Sequence, residues 1–123
     1  LFEHYIELFR TLNDIVPELM EQNIIADFSQ IKKTKDSGWN YGRGVFLARC
    51  CYELGYLSEN ELKDYLEKSH IDLKKYCSTW KECTTSYIYG RAIWGGANNS
   101  GMVQIAHDLL NNENSPLKNK TYI

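Results

Sequence analysis

The residues of this sequence best suited to chemistry are arginines that lie within one or two helical turns of aromatic side chains. The set consists of Trp39, Tyr41, Arg43, Arg49, Tyr87, Arg91 and Trp94. A guanidinium group presents a planar fork of hydrogen-bond donors that matches a phosphate or a carboxylate. One interpretation is therefore an anion-binding pocket with arginine donors and aromatic walls. Nothing in the spacing selects a substrate for such a pocket.

The same residues also allow a purely structural interpretation. Glycine inside a helix costs about 0.5–1 kcal/mol relative to alanine, yet Gly42 and Gly90 each stand inside a helical pattern, between Tyr and Arg. A missing side chain allows two helices to cross closely, and a network of Trp, Arg and Tyr could lock that crossing. Arg49 has Glu53 one turn later, and a buried charge needs such a partner. The pocket and the network stay open as alternatives.

Other catalytic and metal chemistry has little support in the sequence. Motifs for nucleotide phosphates, for a serine nucleophile and for a zinc protease are absent. The three histidines lie far from the four cysteines, and there is no C-x-x-C pair, so we expect no metal and no cofactor. Unpaired cysteines are typical of reduced thiols in the cytoplasm. We therefore expect a cytoplasmic protein that is not an enzyme.

The charges are arranged in bands along the chain, which has a net charge of −2. Residues 50–72 carry six acids and two bases. Four of these acids are expected on one solvated helix, namely Glu59, Glu61, Asp64 and Glu67. Such a surface could bind a basic protein partner, with charge speeding the encounter. A nucleic-acid binder would show a dominant basic face, and no apolar run is long enough for a membrane span, so we expect neither partner.

Helical periodicity dominates the chain and predicts a single compact all-α domain, residues 1–123, of five or six helices. The central and most buried helix is expected at about 38–54, because it is apolar around much of its circumference. It is expected to pack on a helix at about 80–94. No stretch alternates apolar and polar residues at the period of a strand.

Residues that interrupt or cap helices indicate the bounds of the other elements. A first helix is predicted at about 2–22, where Pro17 should kink it or start a new helix, and 27–37 is predicted to be a loop.

Two capping boxes are predicted further along the chain. The S-x-x-E pattern at Ser58 should open a helix that runs to about Tyr76, and a similar pattern begins at Thr79. A last helix should follow caps at 98–100 and end before Ser115-Pro116. The inward side of the helix after Ser58 is expected to consist of Leu62, Tyr65, Leu66, Ile71 and Leu73.

Several motifs resemble one bacterial family. The stretches GWNYGRGVFLAR, GYLSENE, TWKE and SYIYGRAIWG are similar to the family called domain of unknown function 1266, and the resemblance covers about residues 38–96. The chain departs from the family pattern at Asn40, where an acid is usual, and at Cys50 and Leu117, where Trp is usual. The positions that match are Trp39, Gly42, Arg43, Ala48, Arg49, Gly55, Tyr56, Leu57, Ser58, Glu61, Trp80, Tyr87, Gly90, Arg91 and Trp94.

The resemblance implies a bacterial, intracellular, all-α domain with no known cofactor, and by analogy a place among accessory proteins of bacterial competition systems. Together with the acidic band, it favours a protein-binding module. In its narrowest form this is an immunity protein that neutralises a bacterial toxin, such as a nuclease with a basic cleft. Two alternatives stay open. One is a small enzyme or anion-binding domain that uses the arginine pocket, and the other is a structural subunit that oligomerises through an exposed apolar patch.

Overall fold

The computed structural model describes residues 2–27, 29–94 and 101–123, without the side chains at 4, 5, 7–9, 11 and 12. Its helices are α1 (Phe2–Glu21), α2 (Ser29–Thr34), α3 (Ser37–Glu53), α4 (Glu59–Lys74), α5 (Trp80–Trp94) and α6 (Met102–Asn111). No strand occurs in these ranges, where Thr79 and Tyr122 form an isolated bridge. The predicted all-α architecture is confirmed. The caps expected at 98–100 lie outside the described residues.

Two predictions about the first third of the chain are wrong in part. Residues 27–37 do not form a loop throughout, because α2 occupies Ser29–Thr34. This short helix anchors itself through Ile31 and Thr34, which are both buried, and one apolar residue in six is too little for a periodic signal. Pro17 lies inside α1, which continues to Glu21, so no new helix starts there.

The predicted packing of α3 on α5 is confirmed. The apolar core, however, is built around α5 and not around α3, which the periodicity had predicted to be the most buried helix. Ile88 and Ala92 of α5 are buried together with apolar residues of α1 and α6. The buried partners are Ile15 and Leu19 of α1 and Val103 and Ala106 of α6. In α3, by contrast, the only buried large apolar side chain in the described structure is Trp39. The helix α3 is therefore central because it packs on both α4 and α5, although few of its apolar side chains are buried.

A close crossing of α3 over α5 depends on two glycines. A Cβ atom on Gly90 would overlap Trp39 Cβ and lie 2.8 Å from Trp39 Cγ. A Cβ atom on Gly38 would overlap the carbonyl oxygen of Cys83 and lie 2.7 Å from Tyr87 N. The predicted notch at Gly90 is confirmed, and Gly38 is a second notch that the sequence did not reveal. The packing at Gly42 is less tight than at Gly38 and Gly90, because a Cβ atom there would lie 3.3 Å from the Tyr87 ring.

A buried hydroxyl network joins the same crossing. Ser86 Oγ accepts a hydrogen bond from Gly38 N at 2.8 Å and donates to the Lys35 carbonyl at 2.9 Å. Ser37 Oγ donates to the Thr34 carbonyl at 2.7 Å and lies 3.2 Å from Ser86 Oγ. The hydroxyls thus supply partners to backbone groups where α2 ends and α3 begins, which would otherwise be buried without any.

The helix α4 packs mainly on α3 and begins with the predicted capping box. Ser58 Oγ accepts from Glu61 N at 3.1 Å, and the Glu61 carboxylate accepts from Ser58 N at 3.0 Å. Leu73 is buried and faces inward as expected. Tyr65 and Ile71 do not, since both are more than half exposed. A single neighbouring helix covers only one side of α4, which is narrower than the apolar stripe in the sequence.

Alanine substitutions at three glycines should separate two effects on the free energy of unfolding: the steric clash at the α3–α5 crossing and the higher helix propensity of alanine. We expect Gly90→Ala to lower the free energy of unfolding by about 1–3 kcal/mol, because the new methyl group overpacks against Trp39. We expect Gly44→Ala to raise it by about 0.5–1 kcal/mol, because its Cβ would meet nothing nearer than Ser69 Oγ at 3.9 Å.

Urea unfolding followed by circular dichroism measures both effects, with Gly42→Ala as an intermediate case. Equal stability of the Gly90→Ala and Gly44→Ala variants would show that the α3–α5 crossing is not tight.

Candidate functional site

The crossing gathers part of the predicted arginine and aromatic set. The Trp39 and Tyr87 rings meet edge to face, with centroids 5.3 Å apart. The Arg43 guanidinium lies over the Trp39 ring, 5.2 Å from its centroid. Trp39 is buried and Arg43 is exposed, so the arginine covers the indole from the solvent side. A stacked arginine of this kind contributes mainly packing and a cation–π attraction.

The remaining predicted arginines lie further along α3 and on α5. Arg49 is six residues beyond Arg43 on α3, about 9 Å along the helix axis, and it is exposed. Glu53 is exposed as well, and the salt bridges of the described structure do not include an Arg49–Glu53 pair. Arg91 is half-buried on α5. The anion pocket that these arginines were expected to form stays a prediction.

Trp94 and Tyr41 take separate partners on either side of the crossing. Trp94 Nε1 donates to Asp36 Oδ2 at 2.8 Å, which ties the end of α5 to the residue before α3. Tyr41 pairs with Tyr76 at 6.3 Å between centroids, and burial raises the pKa of the Tyr41 hydroxyl. Both contacts join neighbouring elements, and neither points a donor at a shared pocket.

The acidic residues predicted as a partner surface are all exposed on α4. Their charges are partly used within the helix. The Glu59 carboxylate pairs with Lys63 Nζ at 3.0 Å, and hydrogen bonds from Ser58 hold the pKa of Glu61 below its ordinary value. Asp64 directly follows Lys63 and Glu67 directly precedes Lys68, so these two acids belong to a surface of mixed sign.

An exposed apolar face on α3 is the feature that the sequence interpretation missed. We call it the α3 apolar face, and it consists of Phe46, Leu47, Cys50 and the C-cap residue Leu54. Phe46, Leu47 and Leu54 are 64%, 53% and 71% exposed. Phe46, Cys50 and Leu54 follow one another at intervals of four residues, and Leu47 precedes Cys50 by three, which places the set along one side of the helix. The pattern had been read as burial, because periodicity reports an apolar side and not the element that covers it.

The thiols and carboxylates do not form a metal site. No group of three or more His, Cys, Asp or Glu side chains in the described ranges could hold a metal ion. The four cysteines are free. Burial raises the pKa of the Cys83 thiol to about 12 and also raises the pKa of Cys77. Among the described helices, none is long and apolar enough to cross a membrane.

The helices of the described residues and the Trp–Arg–Tyr crossing between α3 and α5 define a small all-α domain with the motifs of one sequence family. The profile of the family described as protein of unknown function (DUF1266) matches residues 3–122. The chain therefore belongs to that family, and the match extends well beyond the stretch at 38–96 from which the resemblance was inferred. No curated protein matches the chain. No solved structure matches it either.

The raised thiol pKa values give a labelling prediction. The thiolate is the reactive form of cysteine, and a folded-state pKa above the ordinary value keeps Cys77 and Cys83 protonated at pH 8. We expect Cys50 and Cys51, which are half-buried, to react first with a disulfide reagent at pH 8. Cys77 and Cys83 should react only after unfolding.

The absorbance of the group that the reagent releases, measured in native buffer and then in denaturant, gives the number of thiols in each of the two classes. A Cys50→Ser, Cys51→Ser double variant should lose the early class alone. Four thiols that react together in native buffer would contradict the burial of Cys77 and the raised pKa of Cys83.

Proposed function

We propose that this chain is a protein-binding module whose contact surface is the α3 apolar face. The observation that supports this proposal is the exposure of Phe46, Leu47 and Leu54 along one side of a well-formed helix. Large apolar side chains that are contiguous and exposed mark interaction surfaces more often than single exposed residues do. Tyr56 continues the surface into the turn after α3 and is also exposed.

The partner we propose is an amphipathic helix with an apolar stripe and acidic flanks. A helical face with residues at spacings of three and four matches a second helix that carries the same spacing. Arg43 and Arg49 are exposed beside the α3 apolar face, and Glu53 is the one acid in the last turn of α3. The charged residues of α3 are therefore mainly basic, and opposite charge on the partner would fix its register and speed association.

The acidic residues of α4 are a weaker candidate for the binding surface than the α3 apolar face. Glu59 is paired with Lys63, and Glu61 is engaged by Ser58. Exposed ion pairs of this kind contribute little free energy, so α4 offers a solvated surface of mixed sign. The binding surface in this proposal is for that reason α3 and not the acidic helix that the charge bands suggested.

An immunity protein that binds and neutralises a bacterial toxin is the narrower form of the proposal. It includes a cytoplasmic location and a non-enzymatic mode of action, since binding alone would block the toxin. In the version that the charge bands of the sequence suggest, a basic toxin cleft would bind the acidic residues of α4, namely Glu59, Glu61, Asp64 and Glu67. The two versions place the partner on different helices, so matched variants on α3 and α4 distinguish them.

A displayed library of helical peptides tests the proposed partner. One half of the library carries apolar stripes flanked by Asp and Glu, and the matched half carries the same stripes flanked by Lys and Arg. We expect the immobilised chain to enrich the acidic half. The double variant Phe46→Asp, Leu54→Asp should weaken binding of the enriched peptides by about 30-fold or more, because hot-spot side chains carry most of the energy of an interface.

Matched controls separate the binding effect from folding and from charge. Ile105→Asp introduces an acid at another exposed apolar residue, 60% exposed on α6, and should leave peptide binding unchanged. Glu59→Lys, Glu67→Lys reverses charge on α4 and should also leave it unchanged. Enrichment of the basic half, with binding lost only in the α4 variant, would support the acidic-helix version instead.

Light scattering of the free chain tests whether a second copy occupies the same face. A dimer that Phe46→Asp, Leu54→Asp converts to a monomer would assign the face to self-association and favour the structural-subunit alternative. A monomer that binds acid-flanked peptides supports the proposal.

A further inference from the structure

A cleft with polar and apolar walls lies away from the α3–α5 crossing. It has a volume of about 580 Å³ and is bordered by the turn after α1, the start of α5, the second half of α6 and the C-terminal segment. That segment is tied to α5, since Trp80 N donates to the Thr121 carbonyl at 3.1 Å and Ile123 N donates to the Ser78 carbonyl at 3.2 Å. The cleft is therefore a feature held in place by backbone hydrogen bonds.

The charge of the cleft has one sign. Lys81, Lys118 and Lys120 line it, and the described lining residues include no Asp or Glu. Lys118 also contacts Glu113 at 3.4 Å, where Glu113 is 85% exposed. Exposed pairs of this kind are weak, so Lys118 keeps most of its capacity to bind an anion. A cleft whose lysines are not offset by lining carboxylates concentrates anions, because its low-dielectric walls focus the field.

The remaining walls would accept more than an inorganic ion. Trp80, Leu110 and Leu117 supply apolar surface, and Asn23 and Asn111 supply amide groups that can donate and accept hydrogen bonds. A volume of about 580 Å³ falls within the range of about 300–1,000 Å³ that is usual for small-molecule sites. The chemistry of the lining thus combines anion recognition with room for a flat or apolar organic group.

We propose that this cleft binds a phosphorylated organic molecule of nucleotide size. The three lysines bind the phosphate groups as point charges, and the apolar wall with Trp80 packs against the organic part. The site is distinct from the α3 apolar face in residues and in ligand chemistry. It also differs from the predicted arginine pocket, because none of Arg43, Arg49 and Arg91 lines it.

Calorimetry with ADP, pyrophosphate and adenosine tests the proposal. We expect ADP to bind more tightly than pyrophosphate, and adenosine to bind most weakly, because both the charge and the organic part contribute. The double variant Lys81→Gln, Lys120→Gln should weaken ADP binding by at least tenfold. Both lysines are exposed, so the variant should fold normally, and its circular dichroism and urea midpoint should match those of the parent chain.

A second double variant, Lys63→Gln, Lys74→Gln, removes the same net charge from α4 and serves as the matched control. It should bind ADP within about twofold of the parent chain. Equal losses in the two variants would overturn the proposal, since general charge would then explain the binding, and so would the absence of ADP binding at millimolar concentration. Equal affinity for ADP and pyrophosphate would overturn the role of the apolar wall.

Amide chemical shifts locate the ligand independently of affinity. Addition of ADP should shift the amide signals of Asn23, Lys81, Asn111 and Lys120, and leave those of Phe46 and Leu54 in place. Shifts centred on α3 would place the anion at the predicted arginine set and overturn the assignment to the cleft.

Discussion

The close crossing of α3 over α5 is the constraint on which the rest of the structure depends. Gly38 and Gly90 let the two backbones approach to a distance that a single added methyl group would prevent. At that distance Ser86 reaches both the first turn of α3 and the carbonyl of Lys35, so the same contact also fixes the junction after α2. Burial of Trp39 against Gly90 and Tyr87 then fills the crossing. Since overpacking and unsatisfied polar groups each cost on the order of 1–3 kcal/mol, few substitutions at this point would be tolerated.

The exposure of the α3 apolar face is a consequence of where that crossing falls. The contacts with α5 involve the first turns of α3, at Gly38, Trp39 and Gly42. Further along the helix, α4 lies on one side, where Gly44 approaches Ser69, and Phe46 and Leu54 lie on another. A helix that crosses its main neighbour near one end leaves its other end free of that neighbour. The apolar residues there take no part in the crossing, which is why they are exposed.

The sequence predicted local features well and long-range ones poorly. The capping box at Ser58 was predictable because both of its hydrogen bonds lie within four residues. Gly90 was predictable as a notch because glycine inside a helix needs a reason. Gly38 was not, because a glycine beside a helix start carries no such cost. The burial of α3 was overestimated since an apolar stripe does not reveal which element covers it. The cleft could not be foreseen, because the chain separates Lys81 from Lys120 and only the fold brings them together.

The buried hydroxyl side chains of the described residues are hydrogen-bonded to the backbone. Ser37 and Ser86 both hydrogen-bond to main-chain groups at the α2–α3 junction, and Thr85 donates to the Lys81 carbonyl at 2.8 Å. Redirecting Ser37 or Ser86 would break these hydrogen bonds at the α2–α3 junction. The side chains of the α3 apolar face and of the lysine-lined cleft lie outside this set of hydrogen bonds, so they can be substituted without breaking it.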